Sequence, residues 1–594
     1  MSAYTAPVED IRFVLNEIAG LGDVVGLPGY EDATPDLVEA VVKEAGKLAS
    51  DVLAPLNQSG DQEGCLIDNG VVRTPKGNRE AYQQFIEGGW NGIPFEPEFG
   101  GQGLPWLVST AISEIWNSAN MAFSLCPLLT QGSIELLGAH GSDGLKATYL
   151  EKMIEGTWTG TMNLTEPQAG TDLARLRSKA VREGDHYRIS GQKIFITYGE
   201  HDWTENIIHM VLARLPDAPP GVKGISLFLV PKFLVNDDGS LGDRNDLRCV
   251  SIEHKLGINA SPTAVMSYGD DKGAIGYLVG EENEGIKCMF TMMNNARLAV
   301  GLEGVAIAER AYQQARDYAL ERVQSRDAAS DSPESVTIVH HPDIKRMLLS
   351  MKARTEAARA LAYSTAAYLD TAKRHPDAKE KARAQALVDL LVPVVKAWST
   401  DIGIDAADIG VQVHGGMGYI EETGAAQHLR DARIASIYEG TNGIQAIDLV
   451  GRKIVREKGQ TVAALIEKIR RFQPDTSNED LAVISRRLDT GISNLEQATK
   501  WMIDTYPKDV DAALAGATSY LNLLGTVVGG WMMGRSAEIA LNKLEAGVGD
   551  PEFYKAKIVS ARFFADQVLV EAPTTCEKII MGATSITASN FAAL

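Results

Sequence analysis

Cysteine is sparse in this 594-residue chain. The five present, Cys65, Cys126, Cys249, Cys288 and Cys576, are scattered, none stands in CxxC spacing with another, and their number is odd. A disulfide framework is therefore not expected, and buried thiols of a reducing compartment are. The ten histidines include no HExxH, and only His340 and His341 are adjacent, so no protein metal site is expected. There is no GxxxxGK(S/T) loop, no GxGxxG between a strand and a helix, and no GxSxG elbow, which leaves phosphoryl transfer, a Rossmann cofactor site and a hydrolase triad without support.

Positive charge is also in deficit. Lys and Arg number 57 against 78 Asp and Glu, a formal net charge of -21. Such a surface repels phosphate backbones and anionic lipid, so neither nucleic acid nor a membrane is expected as a partner. An anionic substrate would have to be met by a few placed cations and helix N-termini. The most apolar run, Leu521 to Met533, is interrupted by Gly525, Gly529 and Gly530 and is too short to span a bilayer. The N-terminal segment carries Glu9 and Asp10 and lacks a basic region before an apolar run, unlike a secretory signal, so a cytoplasmic protein is expected.

What is present is a change of period along the chain. Residues 35–57 place Val38, Val41, Ala45, Leu48 and Val52 on one helical stripe, with Thr34 as cap and Pro35 in the first turn. Helical patterns follow near 78–89, 106–123 and 131–155, with the glycine-rich turn EFGGQGLP (Glu98 to Pro105) between. From about 157 to 280 the pattern is that of strands: HYRISGQKIFITYG around a Ser190-Gly191 turn, then IIHMVLARL and GISLFLVPKFLV, with turn clusters PDAPPGVKG and NDDGS. Helix returns over 284–325, 341–374, 380–415 and 440–457, and the polar stretch Ser325 to Thr337 reads as a loop. A last helical block has apolar faces such as Leu481, Ile484, Leu488 and Ile492, which need a partner in the main body or in a second subunit. The expected organisation is α+β: an N-terminal extension (1–34), a helical domain (35–156), a β-domain (157–282), a helical bundle (283–458) and a C-terminal helical extension (459–594).

Three segments could carry chemistry. TMNLTEPQAGTDL (Thr161 to Leu173) offers hydroxyls and free turn N–H groups that suit the edge of a planar heterocycle, although such turns commonly satisfy only themselves. KIFIT puts Phe195 and Thr197 on one face of a strand, a ring and a hydroxyl two residues apart, as in many plain core strands. ASIYEGTNG sets Glu439 between an apolar run and a glycine, where desolvation raises a carboxylate toward the range of a general base, and Thr441 is placed to cap the next helix; an arbitrary Glu near a helix start is more often a cap.

Taken together and in order, TEPQAGTD, GQKIFIT, ERVQ (Glu321 to Gln324), QVHGGMGY (Gln412 to Tyr419) and IYEGTNGIQ (Ile437 to Gln445) resemble the signatures of acyl-CoA dehydrogenases over about residues 40–455. Outside that core the chain resembles a longer bacterial branch of the family. The resemblance implies an N-terminal helical domain, a middle β-domain, a four-helix bundle and an extra helical domain. It implies FAD as cofactor and an acyl-CoA substrate, with Glu439 taking the α-proton while hydride leaves the β-carbon for flavin N5. The thioester oxygen would be met by the Glu439 N–H and a ribityl hydroxyl. A second family arrangement places the base just before an Arg on an earlier helix; the matching residue here is Ala296, ahead of Arg297, so that position offers no rival carboxylate.

By the same resemblance, Met162, Leu164, Thr165, Gly170 and Thr171 meet the flavin, Phe195 packs on its ring and Thr197 lies near N5. Arg322, Gln324, Gln412, Gly416 and Thr441 serve the diphosphate and adenine ends, partly across subunits. Asn294 and Arg297 meet CoA, and Thr171 and Gly440 meet the substrate. Phe195 stands where many relatives carry Trp, Ser325 where an aromatic is common, and Gly443 where many have Gln. The implied electron acceptor is an electron-transfer flavoprotein; an oxidase with the same base and a flavin-retaining nucleic-acid binder are the alternatives. Bulky Met121, Phe123 and Leu125 suit the floor of a short acyl pocket or an ordinary core. A homodimer is expected, the C-terminal block covering the surface that relatives use to form tetramers.

Overall fold

In the computed structural model, which describes residues 4–588, the chain divides into two units: Lys47–Leu104 with Ala119–Ala296, and Met1–Gly46 with Pro105–Ser118 and Arg297–Leu594. Among the described residues, no helix is long and apolar enough to cross a membrane.

The first of these units is built on an eight-stranded sheet. Its strands are β1 (Trp158–Asn163), β2 (Lys179–Glu183), β3 (His186–Thr197), β4 (Asn206–Ala213), β5 (Ser226–Pro231), β6 (Leu247–Ile252), β7 (Thr263–Tyr268) and β8 (Ala274–Leu278). They lie in the order β6-β7-β3-β8-β5-β4-β1, with β2 also paired to β3; β1 and β4 run parallel and the other pairs antiparallel. Every residue of β4 and β5 is buried, which is why these two read as unbroken apolar runs. Ser190-Gly191, expected as a turn, lies inside one continuous strand. Residues up to Ser190 pair with β2, and those from Gly191 onward pair with β7. Gly191 is required there because its φ is 139° and a Cβ would fall 2.5 Å from Ser178 Oγ.

β3 carries a bulge. Ile196 faces Ala264 and Lys193 faces Met266, so Ile194 and Phe195 together oppose Val265, and Phe195 takes the left-handed φ of 60°. The bulge breaks strict alternation: Lys193 is fully buried while Phe195 is 58% exposed.

The helices of this unit include Asn78–Glu87, Met121–His140 and Asp143–Glu155. The expected continuous helix over 35–57 resolves into Pro35–Leu48, a wide turn at Ala49–Leu53, and Pro55–Glu63; Thr34 Oγ1 accepts the Leu37 N–H at 3.3 Å at its start. Met121, Phe123 and Leu125 are all buried, and the Phe123 ring packs at 5.1 Å from Trp203 and 5.9 Å from Phe85, an aromatic core.

The other unit is helical. Its main elements are α1 (Gly285–Glu321, from Arg297 on), α2 (Pro342–Arg374), α3 (Ala378–His414), α4 (Asn442–Asp448), α5 (Glu479–Thr505), α6 (Ala517–Glu545) and α7 (Pro551–Gln567). The stretch expected as a loop after α1 contains a short antiparallel pair, Val323–Arg326 with Ser335–Thr337. The helix expected over 440–457 is regular only in α4 and continues as a wider turn, Leu449–Val455.

The apolar face of α5 is buried within the chain, against α6 and α7, and α6 in turn packs on α2, α3 and α4. The glycines of Leu521–Met533 do not interrupt α6. They let it approach Trp398 of α3, since a Cβ on Gly525 or Gly529 would fall 2.7 or 2.6 Å from that ring.

A buried charge cluster ties five segments of this unit together. The Arg359 guanidinium (α2) is fully buried and donates to Glu114 at 2.6 and 2.8 Å and to Glu309 at 2.8 Å, and the Tyr363 hydroxyl adds a bond to Glu114 at 2.7 Å. Asp10, in the helix Val8–Phe13, joins it through Arg359 and Lys352, each at 3.8 Å, and forms a short contact with Lys557 of α7. The N-terminal segment and the C-terminal extension are thereby pinned to the same bundle helix.

Candidate active site

Glu439 lies in a four-residue link, Ile437–Gly440, ahead of Thr441, the cap of α4. It and Gly440 both have left-handed backbones, φ 57° and 87°. For a non-glycine residue that conformation costs energy and persists only where neighbours hold it. Three contacts do so. Gln445 Nε2 donates to the carbonyls of Glu439 at 3.1 Å and Gly440 at 3.2 Å, and Lys396 Nζ donates to the Gly440 carbonyl at 2.9 Å. Asn442 braces the loop against α3, its side chain donating to Asp401 at 2.7 Å and accepting from Lys396 at 2.9 Å.

The carbonyls are thus engaged, whereas the N–H and the carboxylate of Glu439 make no hydrogen bond among the described residues. Burial pushes the Glu439 carboxyl up to about 7, against the opposing pull of Arg297 and then Lys396. A carboxylate at that value, free of partners and beside an unused N–H donor, can take up a proton and stabilise negative charge nearby.

The two cations come from different helices. Arg297 (α1) is 7% exposed and pairs with Asp448 at the end of α4, 3.7 Å away; its Nε has no partner. Lys396 (α3) is fully buried, which lowers its ammonium to about 8 against the raising influence of Glu439, Glu303 and Asp401. Thr441 accepts the Ile444 N–H at 3.4 Å as helix cap. Gly443 is open: a Cβ there would meet no atom nearer than Thr441 Oγ1 at 3.9 Å.

Arg322, Gln324, Gln412 and Gly416 are all exposed. The Gln324 carbonyl bonds His341 Nε2 at 2.7 Å, and the Tyr318 ring stacks on His414 at 4.5 Å, which joins the end of α1 to the end of α3, where Gln412 lies and after which Gly416 follows. Asn294 is exposed on α1, one turn before Arg297.

In the sheet unit, Met162 and Leu164 flank Asn163 at the end of β1, followed by the turn at Thr165–Thr171. That turn is closed by reciprocal Glu166–Ala169 backbone bonds of 3.0 Å and tied to β3 by the Ile194 N–H, which donates to the Thr165 carbonyl at 2.9 Å. Underneath, Glu166 pairs with buried Lys193 at 2.9 Å and accepts from Ser178 Oγ at 2.6 Å. Burial opposes ionisation of Glu166, but Lys193 and Ser178 outweigh it and hold the carboxyl at about 2. Above this anchor the hydroxyls of Thr165, Thr171 and Thr197 make no hydrogen bond among the described residues, Gly170 is open, and the Phe195 ring is exposed. Free hydroxyls beside an exposed aromatic ring fit a flavin, whose ring has polar edges and flat apolar faces.

Glu166 and Lys193 lie inside TEPQAG and GQKIF, and Asn442 and Gln445 inside IYEGTNGIQ, where nothing in the spacing distinguishes them from their neighbours. Lys396 and Glu303 lie outside every motif; the only sequence signal for either is a charged residue on an apolar helical stripe.

With this geometry in hand, four family descriptions match consecutive stretches. These are acyl-CoA dehydrogenase N-terminal domain (37–157), middle domain (161–270) and C-terminal domain (283–454), and acetyl-CoA dehydrogenase C-terminal like (460–590). A 3-methylmercaptopropionyl-CoA dehydrogenase of Ruegeria pomeroyi is 49% identical over 97% of this chain and 98% of its own length. A butyryl-CoA dehydrogenase of Syntrophomonas wolfei is 33% identical over 95% of each. An acyl-CoA dehydrogenase of Bacillus anthracis, solved with FAD, shares the fold with a TM-score of 0.74 at 21% identity, over 98% of this chain and 92% of its own. The chain therefore belongs to the acyl-CoA dehydrogenase family. It is an FAD-dependent oxidoreductase that acts on the CH–CH bond of an acyl-CoA thioester.

Proposed function

We propose that the substrate is a short acyl-CoA, 3-methylmercaptopropionyl-CoA, oxidised to methylthioacryloyl-CoA in the breakdown of dimethylsulfoniopropionate, with Glu439 as the base. The observation that carries the reading is the Glu439 carboxyl itself: half-buried, unpartnered, pushed up by desolvation to about 7 and set beside a free N–H. The substrate assignment is supported by 49% identity to a relative of that name over almost the whole of both chains.

The chain's own residues do the following. Glu439 removes the α-proton and carries it as the neutral acid. Its N–H faces the thioester oxygen and lowers the cost of the enolate-like charge. Arg297 and Lys396 keep part of the carboxylate population ionised at neutral pH. Arg297, with Asn294, also serves CoA, and Thr171 and Gly440 line the reacting part of the substrate. FAD supplies the hydride acceptor when bound. Met162, Leu164, Thr165, Gly170, Thr171, Phe195 and Thr197 hold its ring, while Arg322, Gln324, Gln412, Gly416 and Thr441 serve its diphosphate and adenine.

Electrons pass on to an electron-transfer flavoprotein. The enzyme is a cytoplasmic homodimer with no nucleic-acid or membrane partner, a reading supported by the charge of -21 and by the exposed apolar side chains of Met417, Tyr419 and Ile420 beside Gly416. A general short- or medium-chain acyl-CoA dehydrogenase is the second reading, favoured by the 33% identity to a butyryl-CoA dehydrogenase. A thioether sulfur and a methylene are close in size, so the two differ only in preference.

A panel of 3-methylmercaptopropionyl-CoA, butyryl-CoA and longer acyl-CoAs tests the assignment. The first is expected to give the highest kcat/KM; a higher value for butyryl-CoA transfers the assignment to the second reading. Anaerobic bleaching with slow reoxidation in air supports a flavoprotein acceptor, and peroxide formed at turnover rate overturns it. Sedimentation at tetramer mass discards the dimer.

A further inference from the structure

Six residues beyond Arg297 on α1 lies Glu303, a carboxyl that no motif marks and the reaction scheme above does not use. Its side chain is fully buried. Its Oε2 accepts a short hydrogen bond from the hydroxyl of Tyr438, the residue immediately before Glu439. Its Oε1 has no hydrogen-bond partner, and no Lys, Arg or His among the described residues pairs with it.

We propose that Glu303 is a positioning residue for the base: anchored to the Tyr438 phenol, it fixes the chain entering the left-handed turn at Glu439 and sets the charge of the surroundings in which Glu439 works. This rests on the reading of Glu439 as the base.

The geometric part is direct. Gln445 and Lys396 hold the carbonyls of Glu439 and Gly440, on the outgoing side of the turn. On the incoming side, the Tyr438 N–H bonds Ile434 at 3.2 Å, and the Tyr438 ring is held at its far end by Glu303. A strained backbone needs restraint on both sides.

The electrostatic part follows from what surrounds Glu303. The charged and titratable groups facing this cluster are Arg297 on α1, Tyr438 and Glu439 on the loop, Lys396 and Asp401 on α3, and Asp448 on α4. Lys396 is engaged with Gly440 and Asn442, and Arg297 with Asp448, so neither pairs with Glu303. A fully buried carboxylate with one hydrogen bond and no counter-ion is costly, so Glu303 stays the neutral acid. Burial first, and the Glu439 charge in addition, push it up to about 8, against Tyr438 and Lys396. The coupling is reciprocal: once Glu303 ionises, a second negative charge opposes both the ionised base and the enolate-like charge it creates. Of the pair Glu303 and Glu439, Glu439 therefore ionises first, and both are ionised only in alkali.

The test uses the FAD-loaded enzyme. Infrared spectra across pH are recorded for native enzyme and for Glu303→Gln, and α-proton exchange of butyryl-CoA with D2O is followed anaerobically. The difference between native and E303Q spectra should show a protonated carboxylic-acid C=O band at neutral pH that disappears as pH rises through about 8. Exchange should decline roughly tenfold more on going into alkali in the native enzyme than in E303Q, the effect of about one pKa unit of coupling.

A native enzyme without the band, or an E303Q alkaline limb equal to the native one, overturns the proposal. Tyr438→Phe, which removes one hydroxyl, serves if E303Q does not fold, and should shift the band and slow exchange at unchanged KM; an unshifted band with native exchange overturns it equally. Glu439→Gln run alongside separates the two ideas: retained exchange there removes Glu439 as the base, whereas abolished exchange with a native-like E303Q removes only the role of Glu303.

Discussion

The buried ammonium of Lys396 donates at 2.9 Å to the carbonyl of Gly440, the residue that follows Glu439. One side chain thus holds the strained turn in place and puts a positive charge near the carboxylate that the turn presents.

Lys396→Met removes both effects. With a cation lost, the Glu439 pKa rises above about 7, so the rising limb of kcat/KM moves to higher pH. A shift of about one unit corresponds to roughly tenfold lower kcat/KM at neutral pH, recovered in alkali. Lys396→Arg keeps the charge and should keep the limb near its native position. A pH profile of both variants checks this, and an unmoved limb in K396M shows that the charge is not felt.

Glu439→Gln should keep the fold and the yellow colour of bound flavin, because the Glu439 carboxylate makes no hydrogen bond that the fold depends on. Proton abstraction should fall by roughly 10²–10⁴-fold, the usual contribution of a general base. Anaerobic flavin bleaching and α-proton exchange measure it.

For the native enzyme, kcat/KM should rise with pH through about 7, because the base must be ionised and burial holds its carboxyl there. Stability behaves differently in acid. Burial first, with Lys232 adding to it, lowers His201 and His209 to about 3. Their folded values are depressed below the unfolded ones, so below the unfolded pKa the unfolded chain binds more protons. Stability is therefore full above about pH 6.5 and is lost as pH falls toward 3. Urea midpoints across acid pH check this, and His209→Gln should flatten part of the dependence.

Arg359→Met leaves Glu114 and Glu309 without their shared cation inside the protein. Removing one partner of a buried ion pair costs about 3–5 kcal/mol. Thermal unfolding should show a large drop in Tm. Asp10→Asn should lower it as well, because Lys557 and Lys352 lose one of the two carboxylates they share, the other being Glu356.

Much of the fold was legible because period is a local property. Strands β4 and β5 are unbroken apolar runs, and α2 and α3 are long periodic stretches with Ala and Leu at helical spacing. What was misread depended on neighbours distant in sequence. Ser190-Gly191 has the composition of a turn, but in the sheet it is the point where β3 changes partner. The glycines of α6 interrupt an apolar run in the sequence, and only the structure shows that Gly525 and Gly529 make room for Trp398. KIFIT promises plain alternation, and the bulge that exposes Phe195 while burying Lys193 comes from the register with β7.

The candidate site divides in the same way. By itself the sequence determined which residue types stand in which order: Glu439 ahead of a glycine, the Thr- and Gly-rich turn after β1, and Ala296 where a rival carboxylate would otherwise stand. Those are properties of short segments, and a motif is a short segment. Only the tertiary structure decided the electrostatics. Burial of Glu439, the cations from α1 and α3, and Glu303 behind Tyr438 arise from residues up to about 140 positions apart that share one desolvated volume. Desolvation and Coulomb interactions depend on distance in space, and no spacing along the chain encodes it.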